Sequence, residues 1–329
     1  MAVNAATTTR FDQQGVRESL TDKIYDLSPM DTPLMTAIGR GKAATNTFEE
    51  WQTDELEDAE ENAALDGDDA AYVTGSPTVR LGNYTQIFTK SVSVSGTAQA
   101  VNTAGRRNEL LYQVDKRTRE MKRDMERAIS WNRASQAGSR ATARKLAGFE
   151  AWIETNASRG TGGLDGGWTT STKIVAAATD ATTTNRRTFT EARFKEAIRS
   201  CWDATGESPP LAIVGSHNKQ VASGFDGIAT QYQQQSGNPG SSRGIAILGA
   251  ADWYVSDFGK HRIVPSHRSR PRSALLVQPK HWEMRYLRPF KVVPLAKTGD
   301  ADKKQLLAEA TLVCFNEKSS GVVADLLEA

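Results

Sequence analysis

Hydrophobic and polar residues alternate in two stretches that flank a strongly acidic segment in the first third of the chain. The alternation over residues 47–51 (TFEEW) and again over residues 84–95 (YTQIFTKSVSVS) predicts two strands. On the second strand Phe88, Val92 and Val94 share one face, while hydroxyl side chains occupy the other. We therefore expect a long β-hairpin whose connecting loop far exceeds a tight turn, a length typical of functional loops.

The intervening acidic segment, residues 49–69, contains eleven carboxylates and no Lys or Arg. A segment with so much charge of one sign does not fold alone. It can be interpreted as a solvated loop, as a site for divalent cations or as a docking surface for basic residues of a neighbouring molecule. Its carboxylates lack the spacing of a calcium-binding loop. The docking interpretation agrees best with the rest of the chain.

Apolar residues that recur every three or four positions predict one long helix over residues 106–131. Either Asn102 or Asn108 can cap its N-terminus. About 25 residues give a rod of roughly 40 Å, which is longer than one small core needs. The apolar stripe of this helix consists of Leu111, Val114, Thr118, Met121, Met125 and Ala128.

A second amphipathic helix is predicted over residues 189–205 and ends at Gly206. Its inward face includes Phe194 and either Cys201 or Trp202. Many short strands accompany it, so the predicted fold class is α+β. These strand-like segments are residues 211–215, 245–248, 253–256, 262–265, 274–278, 282–287, 291–295 and 306–315.

The two remaining parts of the chain are an N-terminal arm and a linker. Residues 1–15 are small and polar, residues 16–27 have helical spacing, and two prolines make residues 28–41 an extended strap. Residues 159–184 are rich in Gly, Thr and Asp and are interpreted as a linker. An arm and a long hairpin that cannot bury themselves suggest a self-assembling shell subunit.

The charge balance limits the partners of this 329-residue chain. Its net charge is +2, with 38% hydrophobic and 24% charged residues, so no global field favours nucleic acid. No apolar run is long enough to span a membrane, and the N-terminus lacks a secretory signal. We expect no membrane partner, and two buried thiols rather than a disulfide.

Enzyme chemistry would rest on Cys201 with a histidine, or on His217, which follows a strand and opens a helix. Cys201 lies on the apolar face of its helix, whereas a catalytic thiol needs an electropositive and partly exposed position. No acidic partner accompanies His217. The four histidines lack metal-ligand spacing, and the glycines of residues 160–167 lack the GK[ST] ending of a phosphate loop. The sequence therefore predicts no catalytic residue, no cofactor, no metal and no enzyme.

Two basic clusters could receive the acidic segment. Lys and Arg on the long helix are interleaved with Asp and Glu, which is typical of a solvated helix with local ion pairs. No acidic residue lies between Lys260 and Lys280, so this cluster could serve nucleic acid or an acidic protein surface. We hypothesise a subunit interface with Glu49, Glu50, Asp54, Glu55, Glu57, Asp58, Glu60 and Glu61 on one side and Arg268, Arg270 and Arg272 on the other.

Four phrases of the sequence are family fingerprints: SPMDTPLMTAIGRGKA (residues 28–43), GNYTQIFTKSVSVSGTA (residues 82–98), NELLYQVDKRTREMKRDME (residues 108–126) and LAGFEAWIETN (residues 146–156). With the order of the predicted parts, they resemble tailed-bacteriophage major capsid proteins of the Hong Kong 97-type fold. The resemblance implies an N-terminal arm (1–42), an extended β-hairpin loop (43–98), a peripheral domain (99–185 and 286–329) with a long spine helix (106–131), and an axial domain (186–285).

The resemblance also implies a function. It is that of a structural major capsid protein that self-assembles, as hexamers and pentamers, into the icosahedral or prolate head of a tailed bacteriophage. The shell would enclose double-stranded DNA with weak nonspecific contacts, assemble in the host bacterial cytoplasm and end in the virion capsid. Scaffolding, portal and decoration or cement proteins are further candidate partners. Two alternatives stay open: an encapsulin-like nanocompartment shell, and a cytosolic hydrolase that uses Cys201 or His217.

Overall fold

The computed structural model describes residues 32–57, 59–63, 66–67, 69, 75, 77–101, 108–225 and 253–328. Several predictions fall outside these residues. They are the arm helix at residues 16–27, the strand at residues 245–248, the first positions of the long helix and the acidic residue Asp58.

Helices and strands are mixed along the described chain, and the predicted α+β class is confirmed. The helices are α1 Pro33–Ile38, α2 Gly96–Ala100, α3 Glu109–Ser130, α4 Phe149–Trp152, α5 Glu191–Thr205 and α6 Ser216–Ala222. The strands are β1 Phe48–Thr53, β2 Val79–Tyr84, β3 Gln86–Ser95, β4 Ala157–Ser158, β5 Gly167–Thr169, β6 Ile174–Ala176, β7 Leu211–Val214, β8 Trp253–Ser256, β9 Gly259–Pro265, β10 Ala274–Val277, β11 Trp282–Pro294, β12 Ala301–Cys314 and β13 Gly321–Val323.

The acidic hairpin has a different return strand from the one predicted. β1 pairs antiparallel with β2, with Phe48 opposite Tyr84 at its root. The prediction of one return strand over residues 84–95 is wrong, because the chain passes at Thr85 into β3, which pairs with β12 instead of β1. The predicted buried face of that strand is confirmed at Phe88, Val92 and Val94.

The long helix α3 packs against a three-stranded sheet with the order β11-β12-β3. Asn108 caps the helix, since its side-chain oxygen accepts the Leu111 backbone N–H at 3.0 Å. The second of the two predicted caps is therefore confirmed. Lys90 on β3 reaches Asp124 on α3, with 2.7 Å between Nζ and Oδ2.

The predicted apolar stripe of α3 is buried only in its C-terminal half. Met121 and Met125 are at most 1% exposed and belong to the main hydrophobic core, whereas Leu111 is 60% exposed. The first turn also packs on the main core through Leu110, which is 8% exposed, while Leu111 beside it lies on the surface.

A six-stranded sheet with the order β4-β13-β10-β7-β9-β8 forms the rest of the body. Helix α5 packs beside β13 and contributes Phe194 to a second core. Cys201 is fully buried and Trp202 is 44% exposed, so Cys201 is the inward residue of the two. Gly206 ends α5 with a left-handed φ of 69°, as predicted for a glycine cap.

Two further predictions require correction. The predicted linker at residues 159–184 contains a small hairpin, β5-β6, with Gly167 opposite Ala176. The predicted strands at residues 282–287 and 291–295 are one strand, β11, because register shifts around Arg288 absorb the intervening residues without breaking it. The division into arm, hairpin, peripheral and axial domains stays a prediction, although the six-stranded sheet joins β4 and β13 to strands of the predicted axial domain.

Candidate functional site

The loop that follows β1 carries most of the predicted interface carboxylates on the surface. We call residues 54–69 the acidic loop. Asp54, Glu55 and Glu57 are exposed, as are Glu60 and Glu61 further along. In the same loop Leu56 is 95% exposed. Leu56 is therefore an exposed apolar side chain among exposed carboxylates.

Glu49 and Glu50 belong to the strand rather than to the exposed loop. Glu49 is only 7% exposed, and its Oε1 lies 2.9 Å from Nη1 of Arg285. Glu50 pairs with Arg80 across the hairpin at 2.5 Å, and Lys173 lies 4.0 Å from its other oxygen. These two carboxylates therefore fix the hairpin within the subunit.

Buried polar contacts hold the root of the hairpin. The Asn83 side chain is fully buried, donates to the Leu312 carbonyl at 2.8 Å and accepts the Ala147 N–H at 2.9 Å. Trp51 donates its indole N–H to the Cys314 carbonyl at 2.8 Å. Since buried polar groups are costly to leave unpaired, these contacts give the root one defined orientation. The first residues of the acidic loop, 54–57, thus follow a fixed base.

Glu309 is a buried carboxylate that accepts several hydrogen bonds where the hairpin meets the three-stranded sheet. Its carboxylate accepts hydrogen bonds from Thr85 at 2.7 Å, from Arg144 at 2.5 Å and from Arg288 at 2.8 Å. Burial raises the pKa of Glu309, but these three partners outweigh it and hold the pKa below its ordinary value of 4.5. We did not predict this residue, although a lone carboxylate within the apolar run at residues 306–315 was a visible signal.

The predicted basic side of the interface is largely used within the subunit. Arg270 is 8% exposed and pairs with Glu150 at 3.0 Å and with Asp180. Burial lowers the pKa of Arg270, but the carboxylates of Glu150 and Asp180 raise it by more. The net pKa is above its ordinary value, so the guanidinium stays charged. The prediction of Arg270 as a docking residue is therefore corrected. Both terminal nitrogens of its guanidinium group already pair with carboxylates of the same subunit.

Arg272 and Arg268 flank this buried arginine. Arg272 lies 3.5 Å from both Asp180 and Asp325 and 3.7 Å from Glu328, so it ties the C-terminal segment to the loop before α5. Arg268 is partly exposed, and its carbonyl accepts the Trp131 indole N–H at 2.9 Å. Of the three predicted arginines, only Arg268 forms no ion pair with a carboxylate among the described residues.

Of the two candidate catalytic groups, Cys201 is poorly placed for chemistry. Cys201 is fully buried, and burial raises the pKa of its thiol to about 12. A side chain built at Gly321 would come within 3.0 Å of its sulfur, so the thiol faces packed backbone rather than a substrate cavity. His217 lies in the first turn of α6. Over the described part of the chain no group of His, Cys, Asp and Glu is arranged to hold a metal ion.

No helix among the described residues combines the length and the apolar character needed to cross a bilayer.

Comparison with known proteins gives consistent matches over nearly the whole chain. A family model described as SU10 major capsid protein matches residues 4–327. The major capsid protein of Escherichia phage Phieco32 is 28% identical over 348 residues, which cover 95% of each chain.

Solved structures match at low sequence identity. A chain of Mycobacterium phage Bobi has a TM-score of 0.58 at 12% identity, covering 97% of this chain and 99% of that one. A chain of the Cyanophage A-1(L) capsid asymmetric unit has a TM-score of 0.59 at 11% identity, covering 94% and 97%. A chain of the holo-SrpI encapsulin complex from Synechococcus elongatus PCC 7942 has a TM-score of 0.55 at 9% identity, covering 98% and 96%. At these identities the similarity shows a shared fold alone.

Proposed function

This chain belongs to the SU10 major capsid protein family, and from that membership we propose how its acidic hairpin serves assembly. The predictions of a phage major capsid protein and of the Hong Kong 97-type fold are confirmed. The family is one of structural capsid proteins. The encapsulin shares the fold with this chain, but the family match and the 28% identical phage relative favour the phage capsid.

The acidic loop docks on a neighbouring subunit of the shell. The observation that carries this proposal is the contrast between its exposed carboxylates and the buried root that supports them. Asp54, Glu55 and Glu57 are exposed, whereas Glu49 and Asn83 below them are buried and bonded. A loop of one charge on a fixed stem is suited to reach a partner without a core of its own.

The stability of the shell would come from many repeats of this weak contact. Exposed ion pairs contribute only about 0–1 kcal/mol each, so the loop sets the register of neighbouring subunits more than the strength of one contact. A closed shell repeats the contact at every subunit, and linked weak contacts sum to a stable assembly. From the family membership we further propose self-assembly as hexamers and pentamers, assembly in the host cytoplasm and a final place in the virion capsid.

The remaining partners follow from the same function. The shell encloses double-stranded DNA, and the net charge of +2 supports weak nonspecific contact with it. Scaffolding, portal and decoration or cement proteins are the further partners that we propose for the assembled shell.

The test neutralises the loop with Asp54→Asn, Glu57→Gln, Asp58→Asn and Glu60→Gln, and it spares Glu55, which pairs with Lys318 of the same chain. We expect a lower yield of shells in negative-stain microscopy and a weaker dependence of assembly on salt, because the screened attraction has been removed. The matched control is Glu196→Gln with Asp203→Asn, two exposed carboxylates on α5, which should assemble like the unaltered chain. Unchanged yield and salt dependence in the loop variant would contradict the docking role.

A further inference from the structure

Ser256 and His261 form a hydrogen-bonded pair on the hairpin of β8 and β9. β8 pairs antiparallel with β9, and Tyr254 lies opposite His261. Because alternate residues of a strand share a face, Ser256 is a diagonal neighbour of His261 on that face. The distance from Ser256 Oγ to His261 Nε2 is 2.6 Å. A serine hydroxyl at this distance from an imidazole has the geometry of a nucleophile and its base.

A backbone carbonyl determines which nitrogen of His261 carries the proton. Nδ1 lies 2.7 Å from the carbonyl oxygen of Pro209. Since a carbonyl oxygen can only accept a hydrogen bond, Nδ1 donates, and in the neutral ring the lone pair is then on Nε2. Ser256 therefore donates its hydroxyl proton to Nε2. His261 is 1% exposed, and burial lowers its pKa, so the imidazole is the neutral base at neutral pH.

Ser256 can be reached from outside the protein. It is partly exposed and lines a cavity of about 450 Å³ between the β8–β9 turn and α5. Phe258 forms part of the wall and packs on Trp202 of α5, with 5.2 Å between the ring centres. The backbone N–H of Phe258 donates to Ser256 Oγ at 3.2 Å, and such a donor stabilises negative charge on that oxygen. Ser256 thus combines a base, a hydrogen-bond donor and access to a cavity.

The charged side chains that line this cavity balance one another. They are two cations and two anions: Lys195, Arg199, Glu196 and Asp257. A balanced wall gives no net attraction for a charged ligand, whereas the Phe258 ring favours an apolar group. The cavity therefore suits a small uncharged ester with a short apolar acyl chain.

We propose that Ser256 is a nucleophile that takes an acyl group from small uncharged esters, with His261 as its base. Ser256 Oγ forms a bond to the ester carbonyl carbon while its proton passes to Nε2. The bond from that carbon to the leaving alcohol oxygen then breaks, and the alcohol takes the proton from Nε2. The products are the free alcohol, acyl-Ser256 and neutral His261. Water then hydrolyses the acyl-serine with His261 as base, which gives the carboxylic acid and the free serine. This inference is independent of the docking role proposed above.

Labelling of the unaltered full-length chain is the first test. The probe is a fluorescent fluorophosphonate, which loses fluoride to a nucleophilic serine, and peptide mass spectrometry locates the modified residue. We expect about one label per folded chain, on Ser256, because only this hydroxyl has an imidazole base. In concentrated urea the label should be absent, since the pair exists only in the folded hairpin. A label on another residue of the folded chain, or no label, would overturn the proposal.

Three variants assign the roles of the two residues. Ser256→Ala should abolish labelling. His261→Asn keeps an amide N–H for the Pro209 carbonyl but removes the base, so it should slow labelling by about a hundredfold or more. The matched control is Ser200→Ala, which removes a partly exposed hydroxyl that donates only to a backbone carbonyl of α5. This control should be labelled at the rate of the unaltered chain.

Turnover of p-nitrophenyl acetate measures the acyl transfer itself. The unaltered chain should release p-nitrophenol faster than Ser256→Ala, and mass spectrometry should find the acetyl group on Ser256. Equal rates for these two proteins, or equal labelling of His261→Asn and the unaltered chain, would contradict the proposal. Circular dichroism shows whether each variant is folded. If a variant does not fold, the position of the label in the unaltered chain decides.

Discussion

Burial separates carboxylates that look alike in the sequence. Glu49 and Glu57 belong to the same acidic segment, yet Glu49 is 7% exposed and pairs with Arg285 while Glu57 is exposed. The partner of Glu49 lies 236 residues away along the chain, so no local pattern could distinguish the two. Arg270 shows the same limit on the basic side, because Glu150 and Asp180 approach it only in the folded chain.

The charge of Glu309 is expected to stabilise the fold in a pH-dependent way. Glu309→Gln should lower the free energy of unfolding at neutral pH by about 2 kcal/mol, since charged hydrogen bonds to two arginines are lost. The pKa of Glu309 is held below its ordinary 4.5 in the folded chain. Its contribution is therefore present above that ordinary value and is lost as the pH falls through the lowered pKa.

Urea unfolding between neutral pH and about pH 3 measures this effect, and the difference between the two proteins should shrink as the pH falls. Glu60→Gln, a change of an exposed carboxylate, is the matched control and should leave stability within about 0.5 kcal/mol. A difference for Glu309→Gln that stays constant with pH would mean that packing, not charge, accounts for it.

The two thiols should be inert in the folded chain. Burial raises the pKa of Cys201 to about 12 and that of Cys314 well above its ordinary value. Since the thiolate is the reactive form, neither should react with a disulfide reagent at neutral pH until the chain is unfolded. Absorbance at neutral pH with and without denaturant measures this. Rapid native reaction of one thiol per chain would reopen the hydrolase alternative.

At the scale of elements, the hydrophobic periodicity predicted where helices and strands occur better than it predicted which strands pair. The apolar repeat predicted helix α3, and one of the two candidate Asn caps was correct. Both could be predicted because the hydrogen bonds of a helix and its cap join residues close in sequence. The alternation over residues 84–95 predicted the buried face of β3. The pairing of β3 with β12 joins residues far apart in sequence, and Asn83 and Thr85 beside it form hydrogen bonds to β12. The division into β2 and β3 therefore could not be predicted from alternation alone.

One stripe of α3 offers a matched pair of truncations. Met125 is fully buried, so Met125→Ala should lower the free energy of unfolding by about 3 kcal/mol through lost burial and a cavity. Leu111→Ala, on the same stripe but 60% exposed, should cost less than about 0.5 kcal/mol. Thermal and urea unfolding of both variants measure the difference. Equal losses would show that the first turn of α3 is covered in solution.

At the scale of the whole molecule, the family match and the similar phage relative identify a major capsid protein. The family phrases and the order of arm, hairpin and long helix indicated a capsid protein, while composition only limited the alternatives. Two arginines of the cluster predicted to face a partner, Arg270 and Arg272, instead form ion pairs within the subunit.

The near-neutral chain should bind DNA weakly when it is free. With a net charge of +2, we expect a dissociation constant of about 10⁻⁴ to 10⁻⁶ M for duplex DNA at physiological salt, the range of nonspecific contacts. Fluorescence anisotropy of a labelled duplex measures it. The loop-neutralised variant removes four negative charges, so it should bind more tightly and with a steeper salt dependence. Nanomolar affinity of the unaltered subunit at physiological salt would contradict a container that encloses DNA without holding it.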